Sequence, residues 1–401
     1  MANGDNMKLT VDFDVNSWTA RWAAIFLGTV GVLSFIVQPG LVQGFVTELG
    51  LSELQANNLA FAEMLGMALG TVATIFLTRT VNWRKVLFGA ILIAVVGNVL
   101  SAIWGSPDLL KFSRFFTGLG AGAITGLSFT IVGMTNKPER NIAYYLVLLL
   151  TYGAVGLWAM PTAFATIGLK GIFIFWAVVT LLALLTVKHI PTSSDSRVVA
   201  SPTAAQLKLP FLLLALAGIL VYNSAIGLAW ANLFLIGMDI RPDEQAIANA
   251  LLLAQFIAIP GALIAALMSD KIGRWIPLVL GIFGGAAFIA YLRFDSSYLP
   301  FVIGVCGFNF MWNMVLPFIL AAVGDMDEKS RMVTPAIAMQ MVGIGFGPFF
   351  AAILLGQGGG FKAIESLTVI LLLISFVMIV IPMLVHKGAL AKKLNAAQIV
   401  K

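Results

Sequence analysis

The chain has 401 residues, of which 60% are hydrophobic and only 10% are charged, and its mean hydropathy is +0.98. Soluble domains carry roughly 45–50% apolar and about 25% charged residues. The composition therefore excludes an ordinary soluble protein and predicts a polytopic membrane protein. The net charge of +6 does not indicate a nucleic-acid partner, because in a membrane protein the placement of Lys and Arg matters more than their sum. The single cysteine, Cys306, excludes a disulfide framework within the chain.

Twelve apolar runs are long enough to cross a bilayer, which takes about 20 residues of helix. They cover residues 22–46, 55–78, 84–104, 108–134, 141–166, 171–188, 210–237, 245–268, 275–292, 299–323, 332–356 and 363–385. Most gaps between the runs are short and carry turn or charged residues. We therefore predict an all-α polytopic membrane protein with twelve transmembrane helices.

A polar stretch rich in Ser and Pro separates the sixth run from the seventh. Its composition is typical of a linker, so we predict a six-helix bundle over 1–188, a cytoplasmic linker over 189–209, and a second six-helix bundle with a tail over 210–401. The halves also resemble each other. Shifted by 191 residues, GTVATIFLTRTVNW lies over GALIAALMSDKIGR, and each is the end of a second run followed by a basic turn.

The placement of positive charges predicts the orientation. With the N-terminus inside, the inner segments hold eighteen Lys and Arg residues and the outer segments hold five. Cytoplasmic loops carry this excess, so we expect both termini in the cytoplasm and the protein in a plasma membrane of the bacterial inner-membrane type.

Two local motifs add to this pattern. SDKIGR, at 269–274, follows the eighth run, and the turn after the second run contains Arg79 and Arg84 but no acidic residue. RFFTGLG, at 114–120, places Arg114 inside the fourth run, followed by Gly at steps of four residues. Such glycines form a smooth ridge on which a neighbouring helix can pack closely.

These motifs, the six-plus-six runs and the central linker resemble the major facilitator superfamily over nearly the whole chain. The resemblance implies two pseudosymmetric six-helix bundles, a central solute cavity lined by helices one, four, seven and ten, and transport by alternating access. It implies that Arg114 takes part in proton coupling. It also implies a conformational latch at the basic turns, formed by Asp270, Lys271, Gly273, Arg274, Arg79 and Arg84.

A charge within a spanning helix costs about 2.5–3.5 kcal/mol or more unless it faces a partner or a polar cavity, so Arg114 calls for a partner. Glu63 in the second run is the acidic residue that we place well inside an apolar run. At 1.5 Å per residue both lie about 10–12 Å below the outer ends of their helices. We predict that Glu63 carries the proton and that Arg114 modulates it or anchors an anionic solute. A static structural ion pair is the alternative.

Uncharged polar and aromatic side chains supply the candidates for solute binding. Amides within the runs can bind a solute or hydrogen-bond helices to each other, and aromatic rings suit a small organic solute. Beside Arg114, we predict that the solute site contains Gln38, Asn223, Asn309, Asn313, Tyr152, Trp158, Trp312, Gln255 and Gln340.

We therefore predict a proton-coupled transporter of a small organic solute, favouring uptake of an organic acid, an aromatic one among the options, by proton symport. The alternative is a proton-driven efflux antiporter for amphipathic or cationic compounds. Drug-exporting members of the family carry a Gly-rich stretch with Gly-Pro in the fifth helix, and the fifth helix here lacks Gly-Pro. A membrane enzyme is a remote alternative, since the sequence contains no catalytic constellation. A channel is also a remote alternative, because the chain has an internal repeat and lone, unlike charges. We expect no cofactor and no metal, and we expect protons, the solute and the bilayer as partners of a monomer.

Overall fold

The computed structural model describes residues 14–103, 105–193, 206–268, 273–294, 297–327 and 332–399. The regular structure of these residues is helical throughout, without a strand. The predicted all-α fold class is thus confirmed for the described part of the chain.

The first half of the chain contributes seven helices and a short 3-10 helix at Ala183–His189. The helices are α1 (Trp18–Gly31), α2 (Leu33–Ile36), α3 (Gln38–Leu49), α4 (Glu53–Thr80), α5 (Trp83–Ile103), α6 (Pro107–Gly133) and α7 (Pro138–Leu182). The second half contributes six. They are α8 (Leu209–Ile240), α9 (Glu244–Met268), α10 (Trp275–Phe294), α11 (Tyr298–Gly324), α12 (Val333–Gly356) and α13 (Gly360–Ile399).

Ten helical segments of the described chain are long and apolar enough to cross a membrane, and two local features account for the difference from twelve runs. The first run is divided among α1, α2 and α3, each of which is short. The fifth and sixth runs are joined in α7, where Gly168 departs from helical geometry with φ 65° and ψ 175°. Glycine adopts this conformation without the steric penalty that a side chain would bring. All twelve predicted runs therefore correspond to helices.

The breaks in the first run follow from its local sequence. Val32 and Val37 leave helical geometry, with φ of −122° and −107°. Pro39 has no N–H, so it cannot donate to the carbonyl of Phe35 one turn earlier. The two breaks leave α2 as one short turn near the middle of the bundle, with backbone carbonyls free for other donors.

The helix contacts repeat between the two halves. In the first half α6 packs on α4 and α5, and in the second half α11 packs on α9 and α10. The halves meet where α4 packs on α12, where α7 packs on α9, and where α3 packs on α8. The first two of these pairs join a second helix of one half to a fifth helix of the other, as pseudo-twofold symmetry requires. The exact boundaries of the two bundles remain a prediction.

Twelve passes bring α1 and α13 to the same side of the bundle. We call the side where α1 begins and α13 ends the terminal face, and the other side, where α4 and α9 begin, the opposite face. That the terminal face is cytoplasmic remains a prediction.

Candidate functional site

The site is built on a close contact between α4 and α6. Gly118 and Gly122 of α6 lie so near the backbone carbonyls of Glu63 and Met67 in α4 that a Cβ atom on either glycine would overlap them. Gly66 of α4 lies equally close to the carbonyl of Phe115. The glycine ridge seen in the sequence therefore allows backbone-to-backbone packing, and this packing brings Glu63 beside Arg114.

Glu63 and Arg114 form a buried, two-point ion pair. The Arg114 Nε atom donates to Glu63 Oε2 at 3.1 Å, and Arg114 Nη2 pairs with Glu63 Oε1. Arg114 Nη1 donates to Asn98 Oδ1 of α5 at 3.0 Å. The exposed fractions are 0% for Arg114 and 1% for Glu63. Such paired geometry is what makes two charges tolerable in a dry interior.

Aromatic rings of α7 cover the guanidinium. The Arg114 Cζ atom lies 4.9 Å from the ring centre of Phe173 and 5.9 Å from that of Trp176, which favours the cation through the ring faces. Trp176 Nε1 donates to the hydroxyl of Tyr152 at 3.0 Å. The structure thus places Tyr152 behind the ion pair, as a support for its aromatic wall.

Ser34 in α2 connects the ion pair to the broken helix. Its Oγ donates to Glu63 Oε1 at 2.5 Å, and its side chain is half-buried whereas Glu63 is fully buried. A small cavity beside the pair is lined in part by Ser34, Asn98, Thr117 and Thr180 and holds about 10 Å³, roughly the room of a single water. The sequence reasoning missed Ser34, for which the only signal was a hydroxyl close before Pro39.

The free carbonyls of the break accept hydrogen bonds from the second half. Trp230 Nε1 of α8 donates to the carbonyl of Phe35 at 3.1 Å, in the position that the missing N–H of Pro39 leaves open. Gln255 Nε2 of α9 donates to the carbonyl of Ile36 at 3.4 Å. The irregular backbone of the first run is therefore a joint between the halves.

Five of the predicted solute-binding side chains are buried and keep a polar atom without a hydrogen-bond partner in the described part of the chain. They are Gln38, Asn223, Gln255, Asn309 and Trp312. Burying such an atom unpaired costs about 1–3 kcal/mol. A polar solute that hydrogen-bonded these atoms would remove this cost.

The orphaned atoms include both donors and acceptors. Asn223 and Asn309 use their amide N–H groups on the carbonyls of Ile219 and Val305, at 2.9 and 3.2 Å, which leaves each Oδ1 as an acceptor. Trp312 offers Nε1 as a donor. The set can therefore hydrogen-bond a solute that itself carries donors and acceptors.

Aromatic side chains accompany these polar atoms. The ring centre of Trp312 lies 5.7 Å from that of Trp230 and 6.4 Å from that of Phe308. All three side chains are buried. They supply flat apolar surface around the unpaired Nε1 atom of Trp312, and apolar surface with a polar atom is typical of sites for small organic molecules.

Three other predicted residues lie elsewhere or contribute less. Trp158 is 49% exposed and shares an outward stripe of α7 with Tyr144, Leu148 and Val155, so the structure does not place it among the buried polar groups. Asn313 is half-buried and donates to the carbonyl of Asn309 at 3.0 Å. Gln340 is half-buried in α12.

The latch residues divide between the halves. Arg274 Nη2 pairs with Asp325 Oδ2 at 2.6 Å, which ties the beginning of α10 to the end of α11, and Gly273 has a φ of +64° that suits a tight turn. Asp270 and Lys271 lie outside the described residues. In the first half Arg84 Nε donates to the carbonyl of Ile190 at 2.7 Å.

Arg79, the other latch candidate of the first half, lies on the terminal face with its Cζ atom 5.7 Å from the ring centre of Phe76. Its exposed side chain packs on its own helix. The missing acid noted in the sequence is consistent with this arrangement.

Other polar groups, which the sequence analysis did not select for the site, join the halves or lie buried. Asn57 and Asn232 exchange amide hydrogen bonds of 2.9 and 3.2 Å between α4 and α8. Gln43 donates to Glu244 at 3.3 Å. Glu365, at the start of the last run, is only 5% exposed, so Glu63 is not the single buried acid among the apolar runs.

Comparison with known proteins identifies the family. A sequence profile described as Major Facilitator Superfamily matches residues 22–334. A protein of Aspergillus terreus described as an MFS-type transporter is 30% identical over 102 residues, which are 25% of this chain and 18% of that protein. The chain therefore matches less than a fifth of the length of this relative.

Proposed function

The chain belongs to the major facilitator superfamily, and from that premise we propose a proton-coupled secondary transporter that takes up a small organic acid by proton symport. The observation that carries the proposal is the buried pair of Glu63 and Arg114, held by Ser34 and Asn98. A carboxylate at this place can take up and release a proton, whereas the arginine keeps its proton throughout.

Protonation of Glu63 is the coupling step. It removes the negative charge that neutralises Arg114, so the buried guanidinium keeps Asn98 and the rings of Phe173 and Trp176 but loses its anionic partner. A buried cation without a counter-charge is costly. The carboxylate of the solute then pairs with Arg114 in place of Glu63, through the same two-point geometry. Proton and acid therefore bind together.

The rest of the solute is held by neutral groups. The orphaned atoms of Gln38, Asn223 and Asn309 accept or donate hydrogen bonds, and the Trp312 ring packs on the apolar body. Ser34, half-buried and bonded to Glu63, provides the hydroxyl through which a proton reaches the carboxylate. Release of the solute and the proton lets the two halves move about the joint at Phe35 and Ile36.

Ligand-induced thermal stabilisation tests the proposal, since binding raises the stability of the folded protein by mass action. We expect small carboxylates to stabilise the purified protein more at acidic than at alkaline pH. At the pH where a carboxylate is present at a hundredfold excess over its Kd, the stabilisation should be about 2.7 kcal/mol. In Glu63→Gln we expect this pH dependence to disappear while expression is kept. Glu53→Gln, on the same helix, is the matched control and should behave as the wild type.

A pH dependence that survives in Glu63→Gln would contradict the coupling role and leave a static ion pair. Stabilisation by lipophilic cations at alkaline pH, dependent on Glu63, would replace symport by the alternative, a proton-driven efflux antiporter. The packing of Trp230, Trp312 and Phe308 favours that alternative, because aromatic faces attract organic cations.

We also propose that the protein is a monomer in a plasma membrane of the bacterial inner-membrane type and that its terminal face is cytoplasmic. The natural cysteine, Cys306, is buried, so an introduced cysteine can be labelled selectively. A membrane-impermeant thiol reagent applied to intact cells should label Lys170→Cys, exposed near Gly168, and not Lys387→Cys, exposed near the end of α13. The reverse pattern would invert the orientation.

A further inference from the structure

A surface groove on the terminal face lies between the beginnings of α1 and α7. Arg21 and Trp22 of α1 and Arg140 and Tyr144 of α7 are among the residues that line it, and it encloses about 230 Å³. The groove is separate from the ion pair of Glu63 and Arg114, and the proposed transport cycle makes no use of it.

Two positive charges, Arg21 and Arg140, face this groove. The described ion pairs of the chain do not include Arg21 or Arg140. The Nε atom of Arg21 is buried and has no hydrogen-bond partner among the described residues. A buried guanidinium atom without an acceptor is unfavourable, so this arrangement suits a bound anion.

Aromatic rings form the wall of the groove. The ring centres of Trp18 and Trp22 are 6.2 Å apart, and the ring of Trp22 stacks on that of Tyr144 at 5.9 Å with only 16° between their planes. Trp18 is 68% exposed. Trp and Tyr at the end of a spanning helix lie at the level of lipid headgroups, which places the two arginines at the same level.

An exposed apolar surface continues from the groove into the membrane region. Tyr144 belongs to the outward stripe of α7 that also contains Leu148 and Val155. A molecule with an anion at one end and hydrocarbon at the other would meet both parts, whereas a soluble anion would use only the first.

We propose that this groove binds an anionic phospholipid, with the phosphodiester between Arg21 and Arg140, the glycerol region against Trp22 and Tyr144, and the acyl chains along the stripe of α7. Basic residues near a membrane surface attract such headgroups with a strength that corresponds to about a fivefold change in binding for each Lys or Arg. The bound lipid ties α1 to α7 on the terminal face.

Native mass spectrometry of the purified full chain tests the proposal, with dioleoylphosphatidylglycerol as the anionic probe and dioleoylphosphatidylcholine as the zwitterionic one. We expect Arg21→Gln/Arg140→Gln to bind the anionic lipid about 25-fold more weakly than the wild type. Binding of the zwitterionic lipid should not change. Lys208→Gln/Lys387→Gln is the matched control, because it removes two exposed charges of the same face outside the groove.

Equal binding of the anionic lipid by wild type and groove variant would overturn the proposal. Equal thermal stabilisation of the wild type by inorganic phosphate and by the lipid, each at saturating concentration, would also overturn it, since a soluble anion would then suffice. Arg140→Gln alone covers the case in which the double variant does not fold, because Arg140 is exposed; its expected loss is about fivefold.

Discussion

The two halves of the molecule make the same helix contact with different chemistry. In the first half Gly70 of α4 lies against the carbonyl of Leu119 in α6, and in the second half Gly261 of α9 lies against the carbonyl of Phe310 in α11. The shift of 191 residues seen in the sequence relates both members of these contacts. The close packing of a second helix on a fourth is therefore common to the halves.

The charges are not common to them. The same shift places Glu63 over Ala254 and Arg114 over Val305, and both counterparts are fully buried. Apolar residues are thus compatible with the same packing, and the first half carries the desolvation of two charges in addition. This difference supports a functional role for the pair, because the helix contact as such does not require it.

The largest expected effect comes from breaking the pair on one side. Glu63→Ala copies the second half at one position and leaves Arg114 buried without a counter-charge. We expect the free energy of unfolding to fall by about 3–5 kcal/mol, because an arginine cannot give up its proton to escape the cost. Chemical denaturation of the purified protein in detergent measures this loss.

Glu63→Ala/Arg114→Val, which copies Ala254 and Val305 together, is the matched variant. We expect it to recover at least half of the lost stability, because the uncompensated charge is gone, and to remain inactive in transport. A double variant as unstable as the single one would mean that the pair is needed by the fold, and the contrast between the halves would then lose its functional meaning.

A smaller effect is expected from the glycine ridges. In Gly118→Ala the new Cβ would overlap the carbonyl of Glu63, and in Gly261→Ala it would lie 2.6 Å from the carbonyl of Phe310. We expect each substitution to lower the free energy of unfolding by about 1–3 kcal/mol. The loss should be greater for Gly118, whose helix contact is closer.

Gly89→Ala serves as the control for the ridges, because nothing lies within 4 Å of its Cβ position. Alanine should there stabilise the helix by about 0.5–1 kcal/mol. Thermal denaturation of the three variants side by side gives the comparison. Equal stability of Gly118→Ala and Gly89→Ala would show that α4 and α6 are not packed backbone to backbone.

The smallest effect on stability is expected from Asn309, an uncharged side chain of the second half with an unpaired oxygen. Asn309→Leu removes an unpartnered oxygen, so we expect the free energy of unfolding to change by less than about 1 kcal/mol. Solute binding should nevertheless weaken about tenfold, because one hydrogen bond of about 1.4 kcal/mol is lost. Titration of the stabilising solute measures the second quantity.

Asn57→Leu is the contrasting variant, since the amide of Asn57 is paired with that of Asn232. Removing it leaves a buried amide without its partner and should lower stability by about 1–3 kcal/mol. If Asn309→Leu destabilises the protein as much as Asn57→Leu does and leaves solute binding unchanged, Asn309 holds helices together and does not bind solute.

Most of the fold could be predicted from local features of the chain. Apolar runs of about 20 residues dictate spanning helices, because an unpaired backbone group in lipid is too costly for other structures. Gly168 explains why two of these runs join without a longer loop. The break before Pro39 was not predicted, although the missing N–H of proline is a local signal.

The site could be predicted only in part. A permanent charge in an apolar run requires a partner. Glu63 was predicted as the partner of Arg114 because the two residues lie at the same depth in their helices. Ser34 gave no comparable signal, because a serine in a helix can satisfy its hydroxyl on the preceding turn. Trp158 was predicted for the solute site but lies on an exposed stripe. An aromatic ring suits both places, so the sequence could not distinguish them.

The sequence by itself determined that this protein is a membrane protein of twelve spanning helices in two related halves, with a glutamate and an arginine at matching depths. These properties depend on composition, periodicity and charge. Only the tertiary structure decided which hydroxyl and amide hold that pair, which polar atoms stay unpaired, and which carbonyls of the broken helix join the halves. These depend on the direction in which each side chain points, and that direction is set by the neighbouring helices.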